Sequence, residues 1–261
     1  MDILSEIIAS KRVLLETAKR ALPLDQLRSM ALAARADATP HALRAALGGD
    51  DINIIAEFKR RSPSKGTIRE NADAATIARS YEMAGAAAIS VLTEENYFAG
   101  SLADLRAVRE VVTIPILRKD FIFDEYQVYE SAAARADGLL LIVAALEDET
   151  LAHLLRLTEE LRMDALVEVH TKEEMERAVA QGAKLIGVNN RDLHTFTVST
   201  ETSVQLAQFA SADTVLVSES GLTPDEVRKL HGIGYKGFLV GEALMRAPEP
   251  AQQLRAFKGE S

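Results

Sequence analysis

Apolar residues at Ile3, Ile7, Ile8, Leu14 and Leu15 recur with helical spacing, and the Ala-rich stretch over residues 24–47 is interrupted by Pro40. This pattern predicts one helix followed by two shorter ones across residues 1–48. From residue 52 the texture changes. Short β-rich runs (INIIAEF, AAISVLT, IPILRK, GLLLIVAA, ALVEV, LIGVN, TVLVSES and GFLVGE) alternate with amphipathic windows such as DAATIARSYEMAGA, SLADLRAVREVV, ETLAHLLRLTEELR and TPDEVRKLHGIG. Apolar strands separated by helices imply a parallel sheet covered on its faces, because a parallel connection requires a crossover. Eight such units in about 210 residues predict an α/β chain of the (β/α)8 barrel class, residues 49–261, preceded by a helical extension over residues 1–48. A doubly wound sheet is the rival architecture. It would normally carry a Gly-rich turn after its first strand, where this chain has KRRSPSKG.

Composition narrows the functional classes. The chain has 261 residues, 48% of them hydrophobic and 26% charged, which suits one large barrel core. A formal net charge of −9 argues against a general nucleic-acid binder, so any anion site must be local. With no cysteine, thiolate chemistry, disulfides and thiolate zinc sites are excluded. No uninterrupted apolar stretch at the N-terminus reads as a signal peptide or membrane span, and a cytoplasmic location is expected.

In a barrel of this class the functional groups stand at the C-terminal ends of the strands. The first run ends in Glu57, Lys59 and Ser62, with Glu57 and Lys59 on one side by alternation. The second ends in Thr93 and Glu94, the third in Arg118, Lys119 and Asp120, and the fifth in Glu168 and His170. The sixth ends in Asn189, Asn190 and Arg191, the seventh in Ser218, Glu219, Ser220 and Gly221, and the eighth in Gly241 and Glu242; only the fourth ends bland. Long ionisable side chains on apolar strands are costly unless they pair or serve a site, so Glu57, Lys59, Lys119 and Glu168 are expected to converge. Glycines near the last two strands, with the helix beginning near Thr223 and Pro224, point to a phosphate at helix N-termini, with Arg191 as its cation.

The segments IIAEFKRRSPSKG, VLTEENYFAGSLADLRAV, PILRKDFIFDEYQVYESAAARAD, LVEVH, GVNNRDL, SESGL and LVGEALMR together resemble the indole-3-glycerol-phosphate synthase family, which closes the indole ring in tryptophan biosynthesis. The resemblance spans residues 50–248. It implies conversion of 1-(2-carboxyphenylamino)-1-deoxyribulose 5-phosphate to indole-3-glycerol phosphate with loss of carbon dioxide and water, without cofactor or metal. By motif match Lys119 is the expected general acid, Glu168 and Glu57 the acid and base in an order left open, and Lys59 the partner of Glu57 that faces the anthranilate carboxylate. An ammonium neighbour is expected to lower the Lys119 pKa. Ser62, Arg191, Ser220, Gly221, Gly241 and Glu242, the last through its backbone N–H, match the phosphate and ribulose side. Asn189 matches a polar substrate contact, and Phe98 and Phe121 an apolar wall for the aromatic ring.

Of the five histidines, His41, His153, His170, His194 and His231, only His170 stands at a strand end, and it is read as structural. The chain is expected to be a monomer without nucleic-acid or membrane partners, other tryptophan-pathway enzymes being the association left open. The alternative function is another phosphate-binding barrel such as a phosphoribosyl isomerase. That chemistry calls for a single acid/base pair, commonly Cys or Asp with Asp, in place of the Glu, Lys, Lys, Glu set.

Overall fold

The computed structural model describes residues 3–192 and 195–260; His194 lies outside them. Eight strands form the barrel: β1 (Asn53–Phe58), β2 (Ala88–Leu92), β3 (Ile116–Lys119), β4 (Gly138–Ile142), β5 (Asp164–Val169), β6 (Leu185–Asn189), β7 (Val215–Glu219) and β8 (Gly237–Val240). Each pairs in parallel with its neighbours in the chain, and β1 closes on β8 with Ala56 opposite Val240. The barrel expected from the alternating runs is therefore present. Between β1 and β2 a two-residue antiparallel pair, Arg61–Ser62 with Gly66–Thr67, folds the first loop back on itself.

Three helices precede the barrel: α1 (Ile3–Ala21), α2 (Leu24–Arg35) and α3 (Ala42–Leu47). The outer layer follows as α4 (Ala74–Met83), α5 (Leu102–Arg109), α6 (Glu125–Ala133), α7 (Asp148–Glu160), α8 (Lys172–Ala180), α9 (Glu201–Leu206), α10 (Pro224–His231), α11 (Glu242–Arg246) and α12 (Pro250–Lys258). Side-chain caps start several of them; Asp73, Ser101, Thr171 and Thr223 each accept the N3 backbone N–H, and Asp124 with Gln127 completes a capping box on α6.

Alternation along each strand separates two cores. Ile54, Ala56 and Phe58 of β1 join the large core between sheet and helices, whereas Ile55 points inward with Leu117, Leu140, Leu166, Leu185, Val217 and Leu239. Leu43 and Leu47 of α3 belong to that inner cluster, so α3 stops the barrel from below. The inner apolar layer leaves same-parity residues later in the strands to face the opposite end. Those residues are Glu57, Lys119, Glu168, Asn189 and Glu219.

Candidate active site

These side chains line a cavity of about 580 Å³ at the C-terminal end of the barrel, the end where such barrels carry their sites. Its wall includes every residue given an expected catalytic or binding role: Glu57, Lys59, Ser62, Phe98, Lys119, Phe121, Glu168, Asn189, Arg191, Ser220, Gly221, Gly241 and Glu242. Leu140 and Ile142 of β4 also line it, so the one strand with no polar end supplies apolar surface beside the charges. Phe98 and Phe121 approach with ring centroids 6.1 Å apart and planes inclined at 39°, a tilted aromatic pair on one wall.

Lys59 Nζ donates to Glu57 Oε1 at 2.5 Å, the pairing that alternation predicts. Lys119 Nζ lies 3.3 Å from Glu168 Oε2 and donates to Glu219 Oε2 in a still closer contact. Glu219 was seen at its strand end but not among the expected reacting groups, yet it is buried at the centre of the cluster. Two glycines make room for these carboxylates. A Cβ on Gly187 would fall 2.2 Å from Glu219 Oε1, and one on Gly241 would fall 2.1 Å from Glu57 Oε1. Gly241 is thus required by the close approach of Glu57, beyond any phosphate contact.

The electrostatics correct one expectation. Burial alone would lower the Lys119 pKa, but the Glu219, Glu168 and Glu57 carboxylates outweigh it and raise it above the ordinary lysine value. The expected lowering by Lys59 is overridden because Lys119 is surrounded by the acidic groups of Glu219, Glu168 and Glu57. Burial would likewise raise Glu168, but Lys119, His170 and Asn189 together hold it well below the usual carboxylate range. Glu219 goes the other way. Its burial, reinforced by Glu168 and Glu57, exceeds the pull of Lys119 and pushes it up to about 7. Its Oε1 is buried without a hydrogen-bond partner, as a carboxyl rather than a carboxylate oxygen tolerates best.

His170 is more than structural filler. Its Nε2 lies 3.4 Å from Glu168 Oε1, and its Nδ1 lies 3.2 Å from Glu174 Oε2. Burial would lower its pKa, but the two glutamates raise it to about 10, so the ring is a cation beside Glu168.

The cationic rim differs in part from expectation. Lys65 of the first loop and Arg246 of α11 line the cavity beside Arg191, and neither stood among the sequence candidates. Arg60 and Arg61 turn away: Arg60 binds both carboxylate oxygens of Asp104 at 2.7 Å, and Arg61 donates to the Tyr97 carbonyl at 3.0 Å and to the Asn96 carbonyl at 2.5 Å. They pin the first loop to the second. The N-terminus of α10 is also not in the cavity wall, which ends at Leu222 on that side; Thr223 caps the helix, and Asp225 and Glu226 occupy its first turn. An anion would meet repulsion there. The wall runs instead through Ser220 and Gly221, whose backbones are left-handed (φ 67° and 70°), and through Gly241, Glu242 and Ala243. The Glu242 carboxylate accepts from Arg246 Nε at 3.0 Å, which leaves its backbone N–H as the group to consider for a ligand.

Among the described residues no cluster of His, Asp and Glu is arranged to hold a metal ion, and no helix is long and apolar enough to cross a membrane.

A family model described as indole-3-glycerol phosphate synthase matches residues 4–257. The chain is 46% identical over 260 residues to the indole-3-glycerol phosphate synthase of Carboxydothermus hydrogenoformans, covering 97% of this chain and 98% of the relative. It is 48% identical over 266 residues to the protein of that name from Micrococcus luteus, covering 100% and 98%. Among solved structures, 3-keto-L-gulonate-6-phosphate decarboxylase from Vibrio cholerae is similar with a TM-score of 0.63 at 18% identity, over 80% of this chain and 96% of that one. At that identity the likeness concerns the fold alone.

Proposed function

The chain belongs to the indole-3-glycerol phosphate synthase family, and from that premise we propose how its cavity carries the reaction. The protein is a carboxy-lyase of tryptophan biosynthesis. It closes the indole ring of 1-(2-carboxyphenylamino)-1-deoxyribulose 5-phosphate, then expels carbon dioxide and water. The observation that carries the reading is the Lys119 ammonium held between Glu168 and Glu219, beside an aromatic wall and beneath a cationic rim.

Ring closure joins an aromatic carbon to the ribulose carbonyl carbon, and the carbonyl oxygen must gain a proton as that bond forms. Lys119 is the donor, since its raised pKa keeps it fully protonated at neutral pH. Phe98 and Phe121 hold the anthranilate ring, and Lys59, fixed by Glu57, faces the ring carboxylate until the carbon–carbon bond to it breaks. Dehydration then needs one proton delivered to the new hydroxyl and one removed beside it. Glu168, held ionised, is the base; Glu219, which keeps its proton up to about pH 7, is the donor. This division gives Glu219 the role expected of Glu57 or Glu168 as proton donor and leaves Glu57 as the group that holds Lys59. Asn189 orients the substrate next to Glu168.

The phosphate lies at the β7 and β8 ends, where the backbone N–H groups of Ser220, Gly221, Gly241 and Glu242 serve it, with Ser62, Arg191, Lys65 and Arg246 as the polar and cationic side. Residues 1–48 form the extension and residues 49–261 the catalytic barrel, acting as a monomer in the cytoplasm. A phosphorylated substrate, which crosses a bilayer only at high cost, supports that location. The test is to mix the purified protein with the carboxyphenylamino deoxyribulose phosphate and record indole absorbance and carbon dioxide release. Both should appear together. Absence of both overturns the reading.

A further inference from the structure

The apolar stripe of α1 contains a cation. Ile3, Ile7, Lys11 and Leu15 follow one another at four-residue spacing on one helix face, and Lys11 is 5% exposed. An ammonium in such a position must be paired, because an unpaired buried charge is strongly destabilising. Lys11 Nζ lies 2.7 Å from Glu95 Oε2 in the loop after β2 and 2.9 Å from Asp120 Oδ2, the residue that follows Lys119.

Asp120 is itself a buried junction. Oδ2 also accepts from Thr93 Oγ1 at 2.6 Å and Arg118 Nη2 at 2.9 Å, while Oδ1 accepts the backbone N–H of Phe121 at 2.8 Å. The rest of the extension meets the same loop. Arg12 stacks over Phe123 at 4.8 Å, Lys19 pairs with Asp124 at 2.7 Å, and the Tyr126 hydroxyl donates to the Ala18 and Leu22 carbonyls at 3.0 Å. One and two turns before Lys11, Ile7 and then Leu4 and Ile3 line the cavity. A single helix thus forms part of the cavity wall and grips the segment that carries Phe121.

We infer that Lys11 is a positioning residue for substrate: through Asp120 and Glu95 it locks α1 to the loop after β3, fixing the aromatic wall of Phe121 and the apolar wall of α1 relative to one another. This rests on the activity assigned above. Lys11 stands one helical turn beyond the cavity wall, and its action is confined to where those walls stand. Most of the interface between α1 and the barrel survives its loss, because the Leu15, Arg12, Lys19 and Tyr126 contacts remain.

The experiment is steady-state kinetics of Lys11→Met and Lys11→Arg on the carboxyphenylamino deoxyribulose phosphate, with thermal melts alongside. Lys11→Met should raise KM about tenfold and change kcat by less than about threefold, and Lys11→Arg should return KM to within about threefold of the unsubstituted enzyme. A folded Lys11→Met with unchanged KM, whatever its melting temperature, makes the lysine structural only and overturns the inference. Should Lys11→Met fail to fold, Glu95→Gln decides, since it removes one arm of the clamp at a half-exposed position. KM should then rise about threefold, and an unchanged KM overturns the inference. The unsubstituted enzyme is the control. If it shows no turnover, the assigned activity falls and this inference with it; if it turns over normally and KM ignores position 11, only this inference falls.

Discussion

Substituting Gly187 by alanine tests whether the placement of Glu219 matters while leaving every charged group in the protein. The new methyl carbon would sit 2.2 Å from Glu219 Oε1, where real Cβ contacts essentially never fall below 3.0 Å, so the carboxyl must retreat by about 0.8 Å or more. The next contact, 3.2 Å from Leu166 Cδ1, requires a shift of only a few tenths of an ångström. The carboxyl end is the flexible partner and absorbs the clash, which displaces it from its present position against Lys119. Loss of one charge-assisted hydrogen bond costs about 1.5–3 kcal/mol, partly offset by the reduced backbone entropy of the unfolded alanine chain. At about 2–4 °C per kcal/mol for a chain of this size, the melting temperature should fall by no more than about 10 °C. Turnover should suffer far more, since a displacement near 1 Å in a reacting group lowers rates by about 10²-fold. The assay is kcat from indole absorbance at 25 °C, paired with a thermal melt. In the Gly187→Ala/Glu219→Gln double variant the two losses should not add, because both act through one carboxyl. A folded Gly187→Ala enzyme with kcat within about twofold of the unsubstituted protein would refute the assignment of Glu219 to the chemistry.

Lys119→Met should reduce kcat by about 10³-fold or more with the circular dichroism spectrum intact, and near-normal turnover removes it as the proton donor. Arg191→Ala should raise KM about tenfold with little change in kcat, whereas unchanged KM with a collapsed melting temperature would make the arginine structural. Glu219 also predicts a pH signature in stability. Its folded pKa is raised from 4.5 to about 7, so between these values the folded state binds more protons than the unfolded state, and stability falls as pH rises through that window. Glu219→Gln lacks that loss, so the melting temperature of the variant relative to the unsubstituted protein should improve from pH 5 to pH 8; a flat or opposite trend contradicts the raised pKa.

Much of the molecule was legible one residue at a time. The eight apolar runs and intervening amphipathic windows specified the barrel, because a parallel sheet covered by helices has few other ways to bury both faces. Alternation alone put Glu57 and Lys59 on one side, and the strand ends named the polar residues of the expected site, whereas Phe98 and Phe121 came only from the family resemblance. Parity was harder. Lys119 enters the cavity while Arg118 beside it is buried outside with Glu130 and Ser131, and Asn189 faces the cavity while Asn190 binds Ser218 and Ser203. In a strand with apolar residues on both faces, nothing local marks which face is inside the barrel; closure of the sheet marks it.

Charge balance was equally nonlocal. The Lys119 pKa is set by carboxylates from β1, β5 and β7, 49 to 100 residues distant for the two that touch it, and the direction reversed once three of them surrounded one ammonium. Glu219 followed the same logic. Its sequence neighbours, Ser218 and Ser220, are those of an ordinary strand end, and only burial against the empty Cα of Gly187 on the adjacent strand, with Glu168 and Glu57 brought near it by the barrel, makes it a proton-retaining acid despite the lysine it touches. The sequence by itself determined the elements, their order and which charged side chains stand at strand ends, because these follow from periodicity and residue chemistry. Their distances, their burial and therefore their protonation were decided by the tertiary structure, because electrostatic energy depends on separation in space and on excluded water.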